Sequence, residues 1–426
     1  MDLWRIRGRR RLEGECRVQG SKNAALPILA ASLLCPGTVE LRRVPILLDV
    51  DAALQILRQL GCRVRQQGDR VYINASQVSG SAIPRNLMER MRSSVFFLGA
   101  LLARTGQAAL SLPGGCNLGK RPIDLHLKAL RELGAEIQEE GEQIFCRTSG
   151  LAGREIRLPF PSVGATENIL MAACAARGET LIRGAAREPE IQALQDFLRC
   201  LGAEVRGAGS DTIRVSAFHP RSSLCFTLPP DRIASATLCC ACAACGGDLW
   251  LKDCDSTHFS AVLYFLNQAG CDIIQNTDGL RLRSGGKLRA VGPVVTAPYP
   301  GFPTDAQPLL MAALLRAEGE SLFRETIFEN RYRQVPELRK LGAEIRLAGR
   351  DARIRGVSSL KGASMEATDL RGGAAMVLAA LCAEGESQVL DRGHIRRGYE
   401  DLNGCLRLLG ADLLLSYEGE KHGVFA

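Results

Sequence analysis

Six times along the chain, at intervals of about 70 residues, an amphipathic segment ends in one short phrase and passes into a β-prone run. The copies are "LGCRV" from Leu60, "LGAEI" from Leu133, "LGAEV" from Leu201, "AGCDI" from Ala269, "LGAEI" from Leu341 and "LGADL" from Leu409. The glycine reads as a helix stop, because it tolerates the left-handed backbone that ends a helix. A second phrase keeps the same period: a helix of small apolar residues, a glycine, then a strand. Its copies are "AALPILAASLLCPGTVEL", "SSVFFLGALLARTGQAAL", "NILMAACAARGETLI", "ASATLCCACAACGGDLW", "QPLLMAALLRAEGESLF" and "AAMVLAALCAEGESQVL". These helices are apolar nearly all round, so they belong inside. The other helix of each copy, as in "DLHLKALRELG", has a polar face and belongs outside. Each copy therefore reads as strand, buried helix, strand, amphipathic helix and further strands. Six copies in 426 residues suggest two α/β domains of three units each, with the break near "LPPDR", Leu228 to Arg232.

The remaining composition narrows the function classes. The chain is 46% hydrophobic and 23% charged, as expected for a globular protein with a substantial core. No apolar run is long enough to span a bilayer. The opening "MDLWRIRGRRRLEG" has basic residues with no apolar run behind them, so it reads as neither signal nor transit peptide. The 16 cysteines then point to free thiols in a reducing cytoplasm. "CCACAAC", Cys239 to Cys245, has a CxxC spacing but no second ligand pair; it reads as core packing and not as a metal site. The net charge of +8 fits a nucleic acid or a small polyanion. Scattered basic residues and 5% aromatics favour the small polyanion. Walker A, GxGxxG, HExxH and GxSxG patterns are missing from the sequence.

Polar and charged residues precede every buried helix: Lys22 and Asn23, Arg92, Ser162 to Asn168, Asp231 and Arg232, Asp305, then Asp369 and Arg371. Ser, Thr and Asp are ordinary caps. Lys22, Arg92 and Arg371 are not, since a cation at a helix start opposes the dipole. They make sense around an anion. Arg331, Arg396 and Arg397 lie in loops and add to the positive set, as do Lys120 and Arg121. In "SLPGGCNLGKRP", Cys116 follows two glycines and precedes those two cations. It reads either as an idle thiol in a turn or as a reactive one whose pKa its neighbours lower. His126 and His394 read as hydrogen-bonded structural residues.

The motifs "GSKNAALPILAASLL", "MRSSVFFLGALLAR", "LPGGCNLGKRPIDLHL", "SVGATENILMAA", "AAREPEI", "LPPDRI", "FPTDAQ", "TIFENRYRQVPEL", "ATDLR" and "RGYEDL" occur in this order. Together they resemble the enolpyruvyl transferase family, and within it the UDP-N-acetylglucosamine 1-carboxyvinyltransferases. The resemblance implies two inside-out α/β barrel domains, residues 22–229 carrying the Cys116 loop and residues 1–21 with 230–426. It implies transfer of the enolpyruvyl group of phosphoenolpyruvate to the 3′-hydroxyl of UDP-N-acetylglucosamine, through a tetrahedral ketal, with release of phosphate. It gives Cys116 the role of proton donor and Asp305 that of base. Lys22, Asn23, Arg121 and Arg397 would hold phosphoenolpyruvate. Arg92, Arg121, Pro122, Ile123, Asp124, Leu125, Ser162, Val163, Gly164, Asp305 and Ile327 would line the nucleotide-sugar site, with Arg331, Asp369 and Arg371 in support. No cofactor, metal, nucleic acid or membrane insertion is expected.

Phe160, Ala306, Gln334 and Arg396 depart from that pattern, standing where relatives often have Lys, Met, His and Asp. The competing readings are the shikimate 3-phosphate enzyme, which lacks the cysteine loop, and an inactive UDP-sugar-binding paralogue. An RNA-end cyclase relative fits the charge alone.

Overall fold

The computed structural model describes residues 1–112 and 123–417. The chain divides into two compact units. One is split, formed by residues 1–19 and the stretch from 230 onward; the other is inserted and runs from 20 to 229. Each has its own apolar core.

The small apolar helices form the interior, as their composition requires. In the inserted unit they are Lys22–Ala31, Phe97–Thr105 and Val163–Ala173. In the split unit they are Arg232–Cys245, Gln307–Ala313 and Leu370–Leu381. Numbered along the chain, they are the first to the sixth buried helix. The amphipathic helices, such as Leu48–Gln59 and Asp124–Glu132, lie outside with one face solvated. Each unit is walled by three small sheets whose strands alternate buried and exposed residues. Six separate sheets are formed among the described residues. The inside-out arrangement is thus as the sequence suggests, but the wall is an assembly of short sheets and not one closed barrel.

The sheets repeat one plan. Glu155–Arg157 runs parallel to Thr180–Arg183, which is followed by the antiparallel strands Thr212–Phe218 and Ala203–Arg206. Val294–Val295, Glu320–Arg324, Asp351–Arg355 and Glu344–Ala348 reproduce it in the split unit. The repeated "LG" glycines, at 61, 134, 202, 270, 342 and 410, all have φ between +91° and +111°. A side chain there would be strained, which is why the phrase recurs.

Strand pairing explains why the chain's first residues go with its second half. Asp2–Arg7 lies antiparallel between Glu386–Asp391 and Asp412–Tyr417. Leu12–Arg17 runs parallel to Gly247–Lys252. The inserted unit finishes itself in the same manner, with Ser223–Thr227 parallel to Thr38–Arg42.

Small residues let the buried helices approach closely. A Cβ at Gly99 would sit 2.3 Å from the Asn168 carbonyl oxygen, so the second and third buried helices touch through their backbones. The cysteine run belongs to this packing: Cys239, Cys240 and Cys242 are fully buried in the fourth helix. Among the described residues no group of three or more potential ligands could hold a metal ion. One charge is out of place in the core. Glu167, in the third helix, is 1% exposed, and neither carboxyl oxygen has a hydrogen-bond partner among the described residues. Burial, with the nearby Glu190 and Glu188 carboxylates, pushes its pKa well above the usual 4.5.

Two stability predictions come from this packing. Gly99→Ala should destabilise the protein by about 2–3 kcal/mol through overpacking, read as a lowered thermal or urea midpoint; an unchanged midpoint would mean the helices can part at no cost. Glu167 folds best as the neutral acid, while the unfolded chain gives up that proton near 4.5. Its contribution is complete below that pH and is lost as pH rises toward its raised folded value. Glu167→Gln should therefore gain on the parent in denaturant midpoint as pH rises from about 4 to about 8, and a constant difference across that range would contradict the assignment.

Candidate active site

The split unit gathers its charged groups where three buried helices begin. Asp231 caps the fourth helix, accepting from the backbone N–H groups of Ile233 and Ala234 at 2.8 and 2.9 Å. Asp369 caps the sixth, accepting from Arg371 and Gly372, each at 3.1 Å. Asp305 stands two residues ahead of the fifth. Such caps satisfy donors that a buried helix start would otherwise leave unpaired.

Two arginines lie among these acids. Arg331 is 1% exposed and Arg371 2%. Asp305, with 31% of its side chain exposed, meets both: Oδ1 is 3.2 Å from Arg331 Nη2, and Oδ2 is 3.3 Å from Arg371 Nε and from its Nη2. Arg331 also donates from Nε to the Thr304 carbonyl at 3.0 Å, and its Nη1 lies 3.8 Å from Asp369 Oδ1. Arg371 stacks on Tyr399 at 5.2 Å, and the Tyr399 hydroxyl is 2.9 Å from Thr237 Oγ1. Burial opposes the charge of Arg371, but Tyr399, Asp305 and Asp231 outweigh it and push its pKa up. The result is a carboxylate gripped from behind and open in front.

The buried Glu325 shapes the adjoining chain. It accepts from the Ile327 and Phe328 N–H groups at 2.7 and 3.0 Å and from Thr304 Oγ1 at 3.0 Å. One carboxylate thus ties Ile327 to the segment that carries Asp305. Arg397 ends the short turn Ile395–Arg397, which packs against the sixth buried helix. Asp391 holds that turn, accepting from His394 and Ile395 N–H at 2.8 and 3.0 Å, and burial pushes the Asp391 pKa up. Gln19 secures the turn's far side, donating to the Gly398 carbonyl at 3.1 Å and accepting from Glu400 N–H at 2.9 Å.

In the inserted unit Lys22 opens the first buried helix, with Asn23 half-buried beside it and Ser21 as the cap. Lys22 Nζ is 2.8 Å from Asp49 Oδ2, and both residues are buried. Arg92 lies in the turn Arg92–Phe96 ahead of the second helix. Ser162 caps the third, accepting from Ala165 N–H at 3.4 Å, and Val163 and Gly164 begin it. Ile123 is buried, Asp124 exposed and Leu125 half-buried at the start of Asp124–Glu132. Cys116, Arg121 and Pro122 lie outside the described residues.

The helix-start cations suggested an anionic guest. Part of their charge is answered by the protein: Asp49 pairs with Lys22, and Asp305 with Arg371. Asp49, Glu325 and Tyr399 escaped the sequence reading. An Asp in a first helical turn looks like an ordinary dipole partner. Glu325 stands one residue ahead of the motif that holds Ile327 and Arg331, and nothing in its spacing marks it as buried. Among the departures, Arg396 has a clear role: its Nε pairs at 2.9 Å with the buried Asp2, and it stacks on Tyr417. Ala306 and Gln334 are both buried, and Gln334 Nε2 faces Met311 Sδ at 3.9 Å. Phe160 is exposed; nothing in the structure explains its replacing a lysine.

Comparison with known proteins gives the family. The family model for EPSP synthase (3-phosphoshikimate 1-carboxyvinyltransferase) matches residues 6–406. A UDP-N-acetylglucosamine 1-carboxyvinyltransferase 2 of Caldanaerobacter subterraneus subsp. tengcongensis is 45% identical, covering 97% of this chain and 99% of that one. The UDP-N-acetylglucosamine 1-carboxyvinyltransferase of Finegoldia magna is also 45% identical, over 97% and 98%. Among solved structures, the enolpyruvyl transferase NikO from Streptomyces tendae superposes with a TM-score of 0.87 at 25% identity, over 97% of this chain and 99% of that one. EPSP synthase from Acinetobacter baumannii shares the fold, with a TM-score of 0.75 at 20% identity, over 98% of this chain and all of that one. On these grounds the chain belongs to the enolpyruvyl transferases, in the family of the UDP-N-acetylglucosamine 1-carboxyvinyltransferases.

Proposed function

We propose that this chain transfers the enolpyruvyl group of phosphoenolpyruvate to the 3′-hydroxyl of UDP-N-acetylglucosamine and releases phosphate, the first committed step of peptidoglycan synthesis, in the cytoplasm. Its two units act as the two domains of the enzyme, residues 22–229 and residues 1–21 with 230–426. The observation that carries the reading is Asp305: a partly open carboxylate whose two oxygens are held by Arg331 and Arg371. A general base needs a fixed direction and an open face.

In the addition step Asp305 takes the proton of the sugar hydroxyl. The oxygen attacks the central carbon of phosphoenolpyruvate as Cys116 delivers a proton to the methylene carbon. In the elimination the Cys116 thiolate takes back a proton from the new methyl group of the tetrahedral ketal, the bond to the phosphate oxygen breaks, and phosphate leaves with the proton held by Asp305. Lys22, Arg121 and Arg397 balance the phosphate and carboxylate charges, as cations do for developing anions, and Asn23 orients the same substrate. Arg92, Arg121 to Leu125, Ser162 to Gly164 and Ile327 receive the nucleotide-sugar. Asp369 and Arg331 keep Arg371 and Asp305 in place.

Phosphate release should require both substrates; release without the sugar, or equal release with shikimate 3-phosphate, would replace this reading with another. Asp305→Ala should lower kcat by on the order of 10²- to 10⁴-fold, and a variant that turns over normally would remove Asp305 as base. A phosphonate-bearing epoxide combines an anion with an electrophile. It should alkylate Cys116 ahead of the other 15 of the 16 cysteines, as peptide mass spectrometry would read; a label elsewhere would remove the thiol from the site.

A further inference from the structure

Asn168 sits in the core of the inserted unit with its side chain fully committed. Oδ1 accepts the Gly99 N–H at 2.6 Å, and Nδ2 donates to the Val95 carbonyl at 3.1 Å. Turning the amide over would set donor against donor and acceptor against acceptor, so its orientation is fixed. The second hydrogen of Nδ2 then points to His126 Nδ1, 2.8 Å away. That ring nitrogen must accept, which leaves the proton of the neutral imidazole on Nε2.

The ring is 7% exposed and rests on the start of the third buried helix. A Cβ at Gly164 would lie 2.9 Å from His126 Cε1 and 3.3 Å from Nε2. Gly164 is bare because the imidazole occupies that space. His126 itself follows directly on Ile123 to Leu125. It therefore touches both segments that the proposed function assigns to the nucleotide-sugar.

We propose that His126 is a positioning residue for the nucleotide-sugar: a neutral ring, oriented by Asn168, that sets the spacing between the segment Ile123 to Leu125 and the turn Ser162 to Gly164. The inference rests on the functional reading for the identity of the ligand, and on the geometry alone for the state of the ring. Burial, then the charge of Arg92, lowers the ring's pKa from 6.5 to about 4. The other charged groups on the elements around it are Glu167 on the third helix, Asp124, Lys128, Arg131 and Glu132 on its own helix, and the exposed glutamates of Glu136–Glu140. A proton on Nδ1 would face the Asn168 amide hydrogens, so charging the ring breaks the contact that aims it.

The test combines ring NMR with binding. In the wild-type protein the His126 resonance, identified among five histidines by its loss in His126→Phe, should not titrate between about pH 8 and pH 5. Asn168→Asp replaces the donor with a carboxylate that favours a proton on Nδ1, so the ring should titrate near or above the usual 6.5. Asn168→Leu removes the donor and offers nothing in its place, so the ring is no longer aimed and the affinity for UDP-N-acetylglucosamine should fall about tenfold, whereas Asn168→Asp, whose carboxylate holds the ring at Nδ1, should stay within about threefold of the wild type. His126→Phe fills the same space without accepting from Asn168. It should weaken UDP-N-acetylglucosamine about tenfold, with the KM for phosphoenolpyruvate within about twofold.

A wild-type ring that titrates normally, or an H126F protein that binds the UDP-sugar like its parent, would overturn the proposal. If H126F does not fold, the affinities of N168L and N168D decide it, and equal binding by the two would overturn the proposal. A wild-type protein that binds no UDP-sugar would instead remove the functional reading, while the ring titration would still report whether Asn168 holds His126 neutral.

Discussion

Close contact between helices made of alanine, cysteine, glycine and leucine is the constraint on which this molecule rests. Such helices have little side-chain bulk to hold them apart, so their backbones nearly meet, as Gly99 and Asn168 do. Three of them bundled inside each unit leave the sheets to the outside and set their starts near one another. In the split unit this places Asp231, Asp305, Asp369 and Arg371 within one electrostatic neighbourhood. The charged group thus stands on the rigid ends of core elements, with no long loop needed to carry the Asp305 carboxylate.

The same arrangement sets the electrostatic problem that the site solves. Burying an arginine is costly unless its charge is answered. Arg331 and Arg371 are answered by carboxylates and by one aromatic face. Asp305 is the member of that group that keeps an open side. The buried arginines thus frame the Asp305 carboxylate, one on each oxygen. Asp49 does the equivalent for Lys22, holding a flexible ammonium to one place.

Much of the architecture was legible from periodicity. The sixfold phrase gave the glycine turns, and the all-round apolar helices were correctly assigned to the interior, including the cysteine run that imitates a metal motif. The wall was less legible, because whether short strands merge into one closed sheet depends on pairings between distant segments. Half of the charged neighbourhood could be read because Asp305, Asp369, Arg331 and Arg371 stand at recognisable positions. Asp49 and the contacts of Asn168 could not, since their partners lie far off in sequence, and nothing about Glu325 marks it as buried. Arg396 is instructive in the other direction. It looks like a defect beside the family pattern, yet it neutralises the buried Asp2.

Asp2–Arg7 occupies the middle of its sheet, flanked by strands from the far end of the chain. On a translating ribosome Asp2–Arg7 must therefore wait for Glu386–Asp391 and Asp412–Tyr417. The inserted unit has all its own strands by Thr227 and can mature early. The split unit stays unfinished until its closing strand has left the exit tunnel, leaving the newborn "LWRIR" segment in need of shelter throughout synthesis.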